Sequence, residues 1–119
     1  MLERDIQKSI LQYLTYAPQV AWAARINSGA TLAEYKGKKR FIRYNSLRGC
    51  PDIMGQLKDG RHLAIEVKKP DWKGVSQAQD ATGRRERTQE AHIKLVNDNG
   101  GVAMFASSID GVKERLDEK

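Results

Sequence analysis

Two apolar runs joined by a short polar turn constrain this chain more than any other feature. Ile53-Met54-Gly55-Gln56-Leu57 and Leu63-Ala64-Ile65-Glu66-Val67-Lys68 flank Lys58-Asp59-Gly60-Arg61. Asp-Gly between two such runs predicts a β-hairpin, because the glycine accepts the positive φ that a tight connection needs. The second strand, from His62 to Lys68, stops at Pro70, which has no N–H to give to a ladder. Side chains alternate along a strand, so Glu66 and Lys68 point one way while Ile65 and Val67 point into a core. The hairpin also makes neighbours of the polar strand ends, which sets Asp52, just after the Gly49-Cys50-Pro51 turn, beside Glu66 and Lys68. Two acids can hold a hard divalent cation by oxygen, and a lysine beside them can handle a proton or offset developing negative charge. That equipment suits hydrolysis of a phosphodiester.

The rest of the chain supplies elements to surround the hairpin. Ile6, Ile10 and Leu14 recur every fourth residue, which predicts a helix over residues 2–14, ended by Pro18. Glu3 lies on the same stripe. It is either a helix-start carboxylate favoured by the macrodipole or an acid aimed at the active site. Residues 20–26 read as a strand closed by Asn27-Ser28-Gly29, residues 31–40 as a polar segment, and Phe41-Ile42-Arg43-Tyr44 as a short strand. Residues 71–84 lack periodicity and read as a long loop, of the kind that is functional or mobile in a small domain. A helix is expected from Arg85 to Asn99, with Ile93 and Val96 on its apolar stripe, Gln89 four residues before Ile93, and Gly100-Gly101 as its stop. A buried strand at Val102-Ala103-Met104-Phe105 and an amphipathic helix from Ile109 to Leu116 complete the order αβ(β)ββαβα. One mixed β-sheet between helices follows, an α/β fold.

Composition narrows the partners. The chain has 119 residues with a formal charge of +6 and a pI near 9.6, so residues 1–119 are expected to form one domain. An enzyme that gathers acids at its site must carry this basic excess elsewhere on its surface, which favours a polyanionic partner. One cysteine, Cys50, excludes an internal disulfide framework and fits a reducing cytosol. No apolar run is long enough to span a bilayer, and Met1-Leu2-Glu3-Arg4-Asp5 lacks the order of a signal peptide, so an intracellular protein with no membrane partner is expected. His62, His92 and Cys50 do not have zinc-ligand spacing. His92 reads as a helix-face histidine, and Cys50 as a small packed side chain.

Pro51-Asp52, Glu66-Val67-Lys68 and the trailing Lys69-Pro70 resemble the PD-(D/E)XK nuclease superfamily. Glu3 on an N-terminal helix, Gly49-Cys50-Pro51-Asp52, and Gln89 on the following helix are similar to its virus-type replication-repair (VRR-NUC) branch, over Glu3 to about Phe105. The resemblance implies a restriction-endonuclease-like α/β core of αβββαβ type and a metal-dependent DNA endonuclease. Glu3, Asp52 and Glu66 would be ligands of Mg²⁺ or Mn²⁺, with the Val67 carbonyl contributing, Lys68 would be the catalytic lysine, and Gln89 would help to order the site. Short stand-alone members occur in phages and bacteria and tend to act as homodimers on branched DNA, such as four-way junctions or flaps. No small-molecule cofactor is implied. The lysine could orient or deprotonate a water, or offset charge in the transition state.

Two basic clusters are candidates for DNA contact. Lys36, Lys38, Lys39, Arg40 and Arg43 are interleaved with Tyr35, Phe41 and Tyr44. They form a solvated face or, beside a phosphodiesterase site, a set of backbone contacts. Arg84, Arg85 and Arg87 open the second predicted helix, where cations oppose the helix dipole and a bound phosphate would relieve the conflict. Trp72 and Lys73 lie in the long loop, where Trp72 either stacks on a base or anchors the loop. Two rival readings share these residues: a non-catalytic nucleic-acid-binding module with a nuclease-like fold, and a sequence-specific restriction-type cutter, for which the chain offers no evident base-reading element.

Overall fold

The computed structural model describes residues 2–26, 30–35, 37–43, 47 and 49–118, and for 30–35 and 39–43 the backbone alone. The elements are α1 (Glu3–Tyr16), β1 (Val20–Arg25), β2 (Ala30–Tyr35), β3 (Lys38–Arg43), β4 (Ile53–Leu57), β5 (His62–Val67), α2 (Ala81–Asp98), β6 (Val102–Ala106) and α3 (Ile109–Leu116). The expected turn at Asn27, Ser28 and Gly29 and the expected strand end at Tyr44 lie outside the described residues.

Four strands form one mixed sheet in the order β1-β4-β5-β6. The Asp-Gly turn joins β4 to β5 antiparallel, with Ile53 opposite Ile65 and Gly55 opposite Leu63. β1 adds to the other side of β4, also antiparallel. β6 runs parallel to β5, with Leu63 opposite Val102 and Glu66 opposite Phe105. A parallel neighbour cannot be reached by a tight turn, and α2 is the crossover that the chain needs.

Alternation then divides the sheet into two faces. Ile53, Leu57, Leu63, Ile65, Val67, Val102 and Met104 belong to one core cluster with Ile6, Ile10 and Leu14 of α1 and Val112 and Leu116 of α3. Helix α2 covers the other face. Its Asn97 side chain closes two hydrogen bonds with the Ala103 backbone, at 2.9 and 3.0 Å, and Gln89 reaches Glu66. The result is a mixed α/β architecture, a four-stranded sheet flanked by helices.

Three expectations are corrected. Residues 31–40 are not a featureless polar segment: β2 and β3 pair antiparallel as a separate two-stranded sheet, Tyr35 opposite Lys38. Gly37 turns the chain at φ +76. Cross-strand pairing is a property of two segments together, and the basic run obscures it when either is read alone. The order is accordingly αβββββαβα rather than αβ(β)ββαβα. Helix α2 also begins at Ala81, four residues before Arg85, because Asp80 caps it by accepting from the Gly83 N–H at 2.7 Å.

Candidate active site

Helix α2 is unusual in what it buries. Its inward residues in the N-terminal half are Gly83, Glu86 and Gln89, while the apolar Ile93 and Val96 are half-buried further along. A polar stripe at a helix–sheet interface must be matched by polar partners, since an unpaired buried group costs about 1–3 kcal/mol. The partners are Glu66 and Lys68 at the C-terminal end of β5, 6% and 7% exposed.

The chain reaches this point by a close approach of backbones. Gly49 holds φ +69 against α2, where a Cβ would come within 2.5 Å of the Thr88 carbonyl oxygen. Pro51 is fully buried. Asp52 follows, and its Oδ2 accepts the Val67 N–H at 2.8 Å, while its carbonyl accepts the Ile26 N–H at 2.8 Å. Asp52 thus ties β1, the start of β4 and the end of β5 at one corner of the sheet.

Glu66 stands beside it. One oxygen, Oε1, accepts from Gln89 Nε2 at 3.0 Å, and the other, Oε2, is buried without a hydrogen-bond partner. Burial, then the charge of Asp52, pushes the Glu66 carboxyl up to about 9; Lys68 lowers it only in part. Gln89 forms a bridge: its Oε1 accepts from Lys68 Nζ at 2.9 Å as its amide nitrogen donates to Glu66. Lys68 Nζ also lies 3.8 Å from Glu86 Oε2 and near the rings of Trp72 and Phe105, 5.4 and 5.7 Å from their centroids.

Glu86 is a site residue that the sequence reading missed. It accepts from the Ser76 N–H at 2.9 Å and from the Trp72 indole N–H at 2.7 Å, and these bonds hold its carboxyl below the usual range. Its signal was its place three residues before Gln89 and seven before Ile93, on the same stripe. Of the two roles open to Trp72, its contacts are those of an anchor: it donates to Glu86 and packs on Phe105 with ring centroids 4.7 Å apart. The loop before α2 is pinned along its length, since Arg87 donates to the Ser76 and Ala78 carbonyls at 2.8 and 2.9 Å.

Asp52, Glu66, Val67, Lys68 and Gln89 line one pocket of about 460 Å³, with Glu3, Arg4 and Gln7 from α1, Arg25 from β1, Cys50, and Arg85 from α2. Glu3 stands with the site by lining this pocket, but it does not close a cage: among the described residues no three His, Cys, Asp or Glu side chains group tightly enough to hold a metal ion. The donors that do meet are Asp52 and Glu66. An orphaned buried carboxyl oxygen, in a group whose proton is held on by burial and then by the charge of a second acid, fits a hard cation. A divalent ion would replace that proton and satisfy that oxygen. Mg²⁺ keeps several waters and needs few protein oxygens.

The basic residues divide. Arg85 lines the pocket, whereas Arg84 is bonded to the Gln79 carbonyl at 2.6 Å and Arg87 is held by the loop. Lys38 and Lys73 are exposed. Lys39, Arg40 and Arg43 lie on β3, described in backbone alone, and Lys36 lies outside the described residues. Arg4, Gln7 and Arg25 line the pocket unforeseen, although Gln7 follows Glu3 at helical spacing. His92 is half-buried on α2, with Nε2 unpartnered, and burial, then the charge of His62, lowers its pKa. A larger cavity of about 760 Å³ between the Asp59–His62 turn and the end of α2 lies at the far end of β5 and of α2 from these acids. No helix among the described residues is long and apolar enough to cross a membrane.

Neither models of known protein families nor curated proteins match the chain.

Proposed function

We propose that the chain is a divalent-metal-dependent DNA endonuclease with a restriction-endonuclease-like core, selective for branched DNA and active as a homodimer. The observation that carries the catalytic part is the pairing of Asp52 with Glu66, whose buried Oε2 has no partner, two residues from Lys68, whose ammonium Gln89 bridges to it. Branched substrates and a dimer rest on the sequence resemblance. Two sites related by a twofold could cut both strands of a junction symmetrically.

Asp52 and Glu66 would hold Mg²⁺ or Mn²⁺, with the Val67 carbonyl and Glu3 able to join them. When bound, the ion supplies Lewis acidity at a phosphate oxygen and lowers the pKa of a water at the site. The chain does the rest. The Val67 N–H fixes one oxygen of Asp52, and Gln89 fixes one of Glu66, so both carboxylates are oriented before substrate arrives. Lys68 is held between Glu86 and Gln89, where its role is to offset negative charge on the phosphorane-like transition state. Glu86 and Trp72 keep its ammonium in place.

Lys68→Ala and Asp52→Ala should each lower Mg²⁺-dependent cleavage at least 100-fold, a scale that loss of a preorganised charge gives in other enzymes, while DNA binding persists. Undiminished cleavage in both variants would sink the assignment. Linear, flap, splayed and four-way substrates, each with Mg²⁺, Mn²⁺ or chelator, test branched-DNA selectivity. A second reading is a non-catalytic nucleic-acid-binding module with a nuclease-like fold. Calorimetry separates the two: metal binding that depends on Asp52 and Glu66 belongs to the nuclease alone.

A further inference from the structure

Three acids, Asp52, Glu66 and Glu3, line the pocket, and a phosphodiester strand entering it needs cations free to meet its phosphates. Lys68 is not free, being buried against Gln89 and Glu86. Arg87 is spent on the Ser76 and Ala78 carbonyls, and Arg84 on that of Gln79. The pocket, however, continues into a groove of about 440 Å³ along α1. The two share Arg4, Gln7 and Arg25, and the groove adds Asp5, Lys8 and Leu11. Arg4, Lys8 and Arg25 are exposed, and among the described residues none of them forms an ion pair or a side-chain hydrogen bond. Arg4 and Lys8 are one turn apart on one helix face, about 6 Å in rise, which is the order of the step between neighbouring phosphates of a strand. Among the described residues that line the groove, Asp5 is the one acid, against three cations.

We infer that this groove is the DNA-backbone track that leads away from the Asp52–Glu66 pocket, with Arg4, Lys8 and Arg25 on successive phosphates and Arg85 on the α2 side of the site. It rests on the endonuclease reading and adds where the strand runs: over the N-terminal half of α1, not over Arg84 and Arg87. The contacts are to phosphate, so the track sets register and affinity and reads no sequence.

The test is fluorescence anisotropy of the full chain with labelled DNA, as duplex and four-way junction, in chelator so that nothing is cut, over a salt series. The Arg4→Gln/Lys8→Gln/Arg25→Gln variant should bind at least tenfold more weakly, and its slope of log affinity against log salt should be shallower by about 2–3, near 0.9 per lost phosphate contact on duplex. Arg84→Gln should change neither. Circular dichroism confirms that the triple variant keeps α1. Unchanged affinity and slope in a folded triple variant, with wild-type binding intact, would overturn the track and leave the nuclease reading standing. Wild-type protein that binds no DNA, or binds RNA alone, would overturn both.

Discussion

At the residue scale, the clearest design is the setting of Lys68. A buried ammonium is costly unless its donors and its charge are met, and here one amide, one carboxylate and two aromatic faces meet them. Glu86 does double service, since the same carboxylate pins Trp72 and Ser76. Glu86→Ala removes the counter-charge and two hydrogen bonds at once. The expected result is a loss of about 3 kcal/mol together with a red-shifted Trp72 emission, read in a Trp22→Phe background because the chain has two tryptophans. Glu86→Gln should recover part of the emission, since it keeps an acceptor for the indole. An unshifted spectrum and unchanged stability in Glu86→Ala would show that Trp72 is held by Phe105 alone.

At the scale of elements, the site is assembled by contacts between segments that are individually ordinary. The turn 49–51 rests on the backbone of α2, and Gly49 is the residue that permits it. Gly49→Ala adds a left-handed strain of about 1–2 kcal/mol and drives a Cβ into the Thr88 carbonyl, so a total cost above about 2 kcal/mol is expected by thermal denaturation. Cleavage should fall with it, because Asp52 moves with the turn. A melting temperature within a degree of wild type would mean that the turn and α2 separate freely. Helix α2 carries the other half of the arrangement: a polar N-terminal half over Glu66 and Lys68 and a half-buried apolar half beyond it, so one crossover both closes the parallel pair and supplies the site.

At the scale of the whole molecule, the acid pair links stability to pH and to cations. The Glu66 pKa is raised from 4.5 to about 9 on folding, so between these values the folded state holds a proton that the unfolded state has released. Stability from this group is therefore full below about pH 4.5 and is lost as pH rises toward 9, at a limiting slope of about 1.4 kcal/mol per pH unit. Glu66→Gln cannot ionise, so without divalent ions it should melt increasingly above wild type from pH 5 to pH 9. Mg²⁺ should raise the wild-type melting temperature more at pH 8 than at pH 6, because binding must displace the proton, and should leave Glu66→Gln unmoved. Parallel pH profiles for the two proteins would refute the burial of an ionisable Glu66.

Local order was legible in the residues themselves. The 3.6 period of Ile6, Ile10 and Leu14, the hairpin about Asp59-Gly60 and the short helix from Ile109 each depend on neighbours along the chain, and so did the meeting of Asp52 with Glu66, which a short turn enforces. Glu3 and Gln89 were traceable as polar residues on apolar stripes. What depends on distant segments was not legible. The hold of Glu86 on Trp72 and of the loop on Arg87, the burial of Glu86 beside Lys68, and the groove that unites Arg4 and Lys8 with Arg25 arise where separate elements pack. The β2–β3 hairpin and the Asp80 cap of α2 are local, and the basic run and the polar loop around them hid their signals. Sequence by itself determined the elements of the main sheet and its helices and which acids meet across one hairpin, because those are short-range energies. Tertiary structure alone decided which cations remain free and which are spent, because that turns on what each long side chain finds within reach after the chain has packed.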